Sequence, residues 1–159
     1  MSTTSDGRFN HTYDNDIEIM LSKHIQNYNI DPLDLIKNFP IYARRVHLKR
    51  FLAHYQLFLK IIDLPGDIVE LGVFRGSSLM SWANFLEIHC MGDRHRKVIG
   101  FDNFAGFKDF DEKDGVEDPR VGKVIGGFNP NDTEQRLKEA IDIFDHDRFI
   151  PFKKRVEIV

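Results

Sequence analysis

Between Gly66 and Ser78 the chain reads Gly-Asp-Ile-Val-Glu-Leu-Gly-Val-Phe-Arg-Gly-Ser-Ser, a segment whose chemistry resides in one acid, its glycines and two hydroxyls. A short apolar run (Ile68, Val69, Leu71) carries Glu70 to a strand end, Gly72 follows, and Gly76 precedes a serine pair able to open a helix. Strand, glycine turn and helix N-terminus together are how α/β folds hold small nucleotide-like ligands. The spacing is Glu-x-Gly-x-x-x-Gly, not the Gly-x-Gly-x-x-Gly of dinucleotide enzymes. Gly72 removes a side chain where a ligand must approach the strand, and Gly76 is expected to let the next helix pack closely on the sheet.

Backbone N–H groups near Ser77 and Ser78, with their hydroxyls, favour a ligand carboxylate, whereas Glu70 would face a ligand cation. A ligand with both an ammonium and a carboxylate is an amino acid, and S-adenosylmethionine carries one at its methionine end. Asp102, which closes a second apolar run (Lys97-Val-Ile-Gly-Phe), supplies the complementary half: an acid there accepts hydrogen bonds from ribose hydroxyls. The alternative is that both acids only cap strand ends and the glycines only make turns.

The elements that must position these residues follow from periodicity. Asp16 to Asn27 and Pro32 to Lys37 read as helices, the second with Asp31 as N-cap and Pro32 at its first position. Apolar residues at three- and four-residue steps from Ile41 to Ile62 predict one long amphipathic helix ended by Pro65-Gly66. Ile68–Leu71 reads as a buried strand, Ser77 to about His89 as a helix, Lys97–Asp102 as a strand and 103–129 as a long loop rich in Gly, Asp and Phe. Asp132 with Gln135 predicts a capping box on a helix to about Phe144, and Arg155–Val159 is a third strand. The alternation predicts a parallel sheet with helices on its faces. It gives a loose N-terminus over 1–15, a helical extension over 16–65, and a sheet domain over 66–159.

The whole chain sets limits. Its 159 residues, net charge of −3 and 42% hydrophobic content fit one ordinary soluble domain and imply neither nucleic acid nor an anionic membrane as partner. The one cysteine, Cys90, excludes an internal disulfide and a thiolate-rich metal site. No signal-peptide pattern or membrane-length apolar run is present, so a cytoplasmic address is the expectation. The sequons at Asn10 and Asn131 carry no meaning without secretion. Asp109-x-Asp111-x-x-Asp114-Gly115 fails the EF-hand template at Lys113, Asp114 and Arg120 and reads as an acidic lid. Arg44 to Arg50 reads as the wet face of its helix, the His47/His54 and His89/Cys90/His95 groups make poor metal sites, and Trp82 reads as core.

The Gly66–Ser78 segment, followed by Gly100-Phe-Asp-Asn-Phe-Ala-Gly-Phe107, resembles the macrocin O-methyltransferase family. The likeness extends over about residues 40–159, including the Tyr42–Leu64 lead-in and Gly127-Phe128, with Asn103 where the family has Ser. It implies a Rossmann-like class I methyltransferase sheet, here incomplete with strands ordered 3-2-1, and methyl transfer from S-adenosylmethionine to a sugar hydroxyl of a small natural product. By that resemblance Glu70, Gly72, Gly76 and Ser77 border the methionine moiety, Asp102 holds the ribose and Phe104 flanks the adenosine, with Val73, Phe74, Ser78 and Asn103 also counted in the cofactor site. The catalytic base and the aspartates for a divalent metal (Mg) are expected beyond Val159, so no metal ligand is assigned here. On this reading the chain is a truncated form or half of an assembly, a homo-oligomer being one form of it, with its first strand an exposed edge. Two other readings stay open: a non-catalytic half-domain acting as an assembly module, and a dinucleotide-dependent oxidoreductase, which the glycine spacing disfavours.

Overall fold

In the computed structural model, residues 14–119, 122–151 and 153–159 are described; the tail before Asp14, with its sequon at Asn10, and Arg120 lie outside them. Two compact units are distinguished, one running to Arg50 and the other from Phe51 to Val159.

The first unit is helical: α1 (Asp14–Asn27), α2 (Pro32–Lys37), α3 (Phe39–Tyr42) and the start of α4 (Arg45–Phe58). As expected, Asp31 caps α2, its carboxylate accepting from Leu33 N at 2.7 Å, with Pro32 in the first turn. The single long helix expected from Ile41 is instead two, because Ala43 is extended (ψ 127°) and breaks the pattern before Arg45. Arg44, expected on a wet face, has a side chain only 12% exposed and pairs with Asp14 and Glu18 of α1. The hydrogen bond it donates to Asp14, outweighing partial desolvation, holds its guanidinium above its ordinary pKa.

The second unit holds the core and a three-stranded parallel sheet: β1 (Ile68–Leu71), β2 (Val98–Phe101) and β3 (Val156–Ile158), with α5 (Ser77–His89) and α6 (Thr133–Asp147) between them. The sheet order is β1-β2-β3, the strand order expected, with Leu71 beside Phe101 and Gly100 beside Ile158. Phe58, Leu79, Ala83, Phe85, Leu86, Val98, Leu137, Ile141 and Val156 form the apolar centre. β1 differs from the buried strand expected: Ile68 and Glu70 are half-buried, but Val69 and Leu71 are 56% and 81% exposed. Only β2 pairs with it among the described residues, so its other side is an open edge.

α4 ends at Phe58, before Pro65, and tightens into i→i−3 turns through Leu64. Arg96, from the loop before β2, satisfies the carbonyls left there, donating to Ile62 O at 2.9 Å and Gly66 O at 3.1 Å. The capping box expected on α6 is not formed. The Asp132 side chain caps nothing, Gln135 donates to Glu139, and Thr133 donates to Pro130 O. α6 also runs three residues past Phe144, to reach a buried charge network. There Arg148 bonds Asp145 and Glu87, and Arg155 bonds Glu87 and the carbonyls of Asp93 and Arg96.

Candidate functional site

Parallel pairing sets the site. With Leu71 opposite Phe101, the residues that follow, Gly72 and Asp102, emerge side by side at the C-terminal ends of adjacent strands, where open α/β sheets bind ligands. Gly72 N donates to Phe101 O at 2.9 Å, and Gly72 turns away with φ 85°, a conformation costly for any side chain.

Asp102 ties two turns together. Its Oδ2 accepts from Phe74 N at 2.7 Å, in the turn after β1, and its Oδ1 from Phe104 N at 2.8 Å, in the turn after β2. The two bonds fix the orientation of the carboxyl group, and each oxygen keeps a lone pair for a further donor. Asn103, beside it, bonds to Ala105 N and Gly106 O and so serves the turn. Phe104 packs against the core, while Phe74 joins Phe128 in an edge contact (5.9 Å), and Phe128 meets Phe107 at 5.6 Å. Phe74, Phe104 and Phe128 all have φ between 50° and 56°, left-handed conformations uncommon for bulky side chains and concentrated here around one strand-end region.

Gly76 has φ 80° and opens α5, as the spacing requires, but its packing reason differs from expectation. A Cβ there would lie 2.5 Å from Leu137 Cδ1, so the close approach is by α6 rather than the sheet. Val73 is 3% exposed and belongs to the core, leaving only its backbone for a ligand. The N–H groups of the first turn of α5, from Ser77 onward, lack intrahelical partners by helix geometry and form the anion-favouring end of the site. Ser78 is committed elsewhere: its hydroxyl donates to Glu70 Oε1 at 2.6 Å. Glu70 Oε2 accepts from Trp82 Nε1 at 3.0 Å, so the Glu70 carboxylate is turned toward α5.

Two features escaped sequence reasoning. Trp82, read as core, does pack against it, but it is half-buried and also donates to Glu70; its four-residue step from Ser78 was the available signal. The long loop is organised by Phe107 and Gly127, whose backbones exchange bonds at 3.0 Å (Phe107 N to Gly127 O) and, through Gly126 N to Phe107 O, 2.7 Å. Two aspartates of the failed EF-hand pattern, Asp111 and Asp114, bond reciprocally to cap a 3₁₀ turn over Glu112–Asp114. Among the described residues no group of three or more His, Cys, Asp or Glu side chains could hold a metal ion. No described helix is long and apolar enough to cross a membrane.

Comparison with known proteins adds three findings. A family model described as macrocin-O-methyltransferase (TylF) matches residues 37–123. The crystal structure of CalS11, a calicheamicin methyltransferase, superposes with TM-score 0.83 at 25% identity, covering 100% of this chain and 62% of that one. An apo structure of CalS11, described as a TDP-rhamnose 3'-O-methyltransferase of calicheamicin biosynthesis, gives TM-score 0.72 at 22% identity, covering 96% and 56%; this likeness concerns the fold. The chain therefore spans about three fifths of the length of these structures. No curated protein matches the chain.

Proposed function

The chain belongs to the macrocin-O-methyltransferase family, whose model covers more than half of it, and from that premise we propose that it holds S-adenosylmethionine at the ends of β1 and β2. When bound, that group supplies an electrophilic methyl for transfer to an acceptor hydroxyl. The observation that carries the reading is Asp102, an acid at the end of β2, fixed by two backbone N–H groups directly beside the Gly72 turn. On this reading its remaining lone pairs accept from the ribose hydroxyls. Gly72, Val73 and Gly76 contribute backbone, Ser77 and the first turn of α5 attract the carboxylate, and Glu70 attracts the ammonium. Phe74 and Phe104 wall the nucleoside, with Asn103 shaping the turn.

The acceptor is a sugar-bearing small molecule, by analogy with the relatives, and the protein acts in the cytoplasm. The protein's task in such a displacement is to align the hydroxyl with the methyl carbon and exclude water. No step is assigned to a metal.

Calorimetry with S-adenosylhomocysteine tests this. One-site binding that is abolished or weakened at least tenfold by Asp102→Ala is expected, with NADH binding far more weakly. Absence of binding by the folded chain, or binding indifferent to Asp102→Ala, would sink it.

The open side of β1, with Leu71 81% exposed, favours a second reading in which the sheet is completed by association as a half-domain module. Sedimentation shows which applies: a monomer at micromolar concentration removes the second reading.

A further inference from the structure

Strand positions that face a covering helix are ordinarily apolar, and Ile68, two residues before Glu70 on the same face of β1, obeys this. Glu70 breaks the pattern. Its half-buried carboxylate receives one side-chain donor on each oxygen, Ser78 Oγ at 2.6 Å and Trp82 Nε1 at 3.0 Å, four residues apart on one face of α5. Neither donor carries a charge, and no lysine or arginine of the described residues pairs with Glu70. The two bonds fix the orientation of the carboxylate, and among the described residues no cationic side chain balances it. The indole is itself held in place, its ring 5.0 Å from His54 and 6.1 Å from Phe85.

We propose that Trp82 and Ser78 are positioning residues that present a preorganised, charge-unbalanced Glu70 carboxylate to the ammonium of an amino-acid-bearing nucleoside. The inference rests on the cofactor reading above and deepens it. A helix-borne pair at i and i+4 orients the acid before the ligand arrives, so that less ordering is needed on binding. A merely structural pair would satisfy Glu70 for the sake of the fold and would not discriminate between ligands with and without an ammonium.

The test compares two nucleosides on the full chain: S-adenosylhomocysteine, which carries the amino acid, and methylthioadenosine, which lacks it. Trp82→Phe keeps an aromatic ring and removes the donor. It is expected to weaken S-adenosylhomocysteine binding about tenfold, as for loss of a hydrogen bond to a charged group, while leaving methylthioadenosine binding unchanged. In a Glu70→Gln background the same substitution should add nothing. Ser78→Ala, which spares the core, should show the same ligand selectivity if Trp82→Phe fails to fold. Trp82 is the only tryptophan, so its emission in the unsubstituted chain should change with S-adenosylhomocysteine and not with methylthioadenosine. Equal weakening of both ligands, or no weakening of either, overturns the positioning role while leaving the cofactor reading intact. An unsubstituted chain that binds neither nucleoside removes the cofactor reading, and this inference with it.

Discussion

The Phe74 amide donates to the Asp102 carboxylate at 2.7 Å, joining the turn after β1 to the turn after β2 through one side chain. Because Phe104 N bonds the other oxygen, a single acid both shapes the strand-end cradle and offers it a negative charge. Asp102→Ala should therefore lower stability as well as ligand binding, by about 1–3 kcal/mol for two amides left without their acceptor. Asp102→Asn keeps one acceptor oxygen and should recover part of that loss. Urea denaturation of the two variants checks the order.

Gly76 is required twice, by its φ of 80° and by Leu137 Cδ1 2.5 Å from where a Cβ would stand. Gly76→Ala should cost about 2–4 kcal/mol, combining left-handed strain with overpacking. Adding Leu137→Ala should relieve the contact but not the strain. A double-mutant cycle in urea would therefore give a favourable coupling between the two positions.

Arg155 is 2% exposed and bonds Glu87, Asp93 O and Arg96 O. Arg155→Ala leaves Glu87 and two carbonyls short of a donor, and should destabilise by about 3–5 kcal/mol, as for a broken buried ion pair. Chemical denaturation with circular dichroism measures it. A loss below about 1 kcal/mol would show that the network is dispensable.

Asp93 provides a pH test. Partial burial alone would raise its pKa, but amide donation from His95 and Arg96, with the charges of Arg155 and Arg96, holds it below the usual carboxylate value. A folded-state pKa below the unfolded one stabilises the fold above about pH 3.9, and the contribution disappears as pH falls through the lower, folded value. The difference in melting temperature between the unsubstituted chain and Asp93→Asn should thus be largest near neutrality and shrink in acid. A difference that grows in acid would reverse the sign of the argument.

Much of this architecture was legible because the strands and α5 announce themselves by short apolar runs, glycine turns and a serine pair. The parallel sheet followed from the βαβ alternation and its 3-2-1 order from the family resemblance, and Asp102 beside Gly72 followed from parallel pairing. Other features depended on contacts between distant residues. Periodicity carried a helix through Ala43, where the backbone turns away and Arg44 reaches Asp14 and Glu18. The Asp132–Gln135 pattern matched a capping box, yet Thr133 anchors the helix start on Pro130 instead. Pattern alone cannot tell which neighbour a glycine accommodates, so Gly76 was matched to the sheet when Leu137 of α6 is what it admits. Trp82 does pack on the core as read, but the bond from its indole N–H to Glu70 was not legible because the partner is met only once β1 and α5 are packed.

The claim that Gly72, Gly76 and Asp102 border one nucleoside site is tested most directly by amide chemical shifts on titration with S-adenosylhomocysteine. The account predicts saturable shifts of the Gly72, Phe74, Gly76, Asp102 and Phe104 amides with one common dissociation constant, and none at Leu33 or Ile36 of α2. Shifts confined to other residues, or a spectrum unmoved at millimolar ligand, would contradict it.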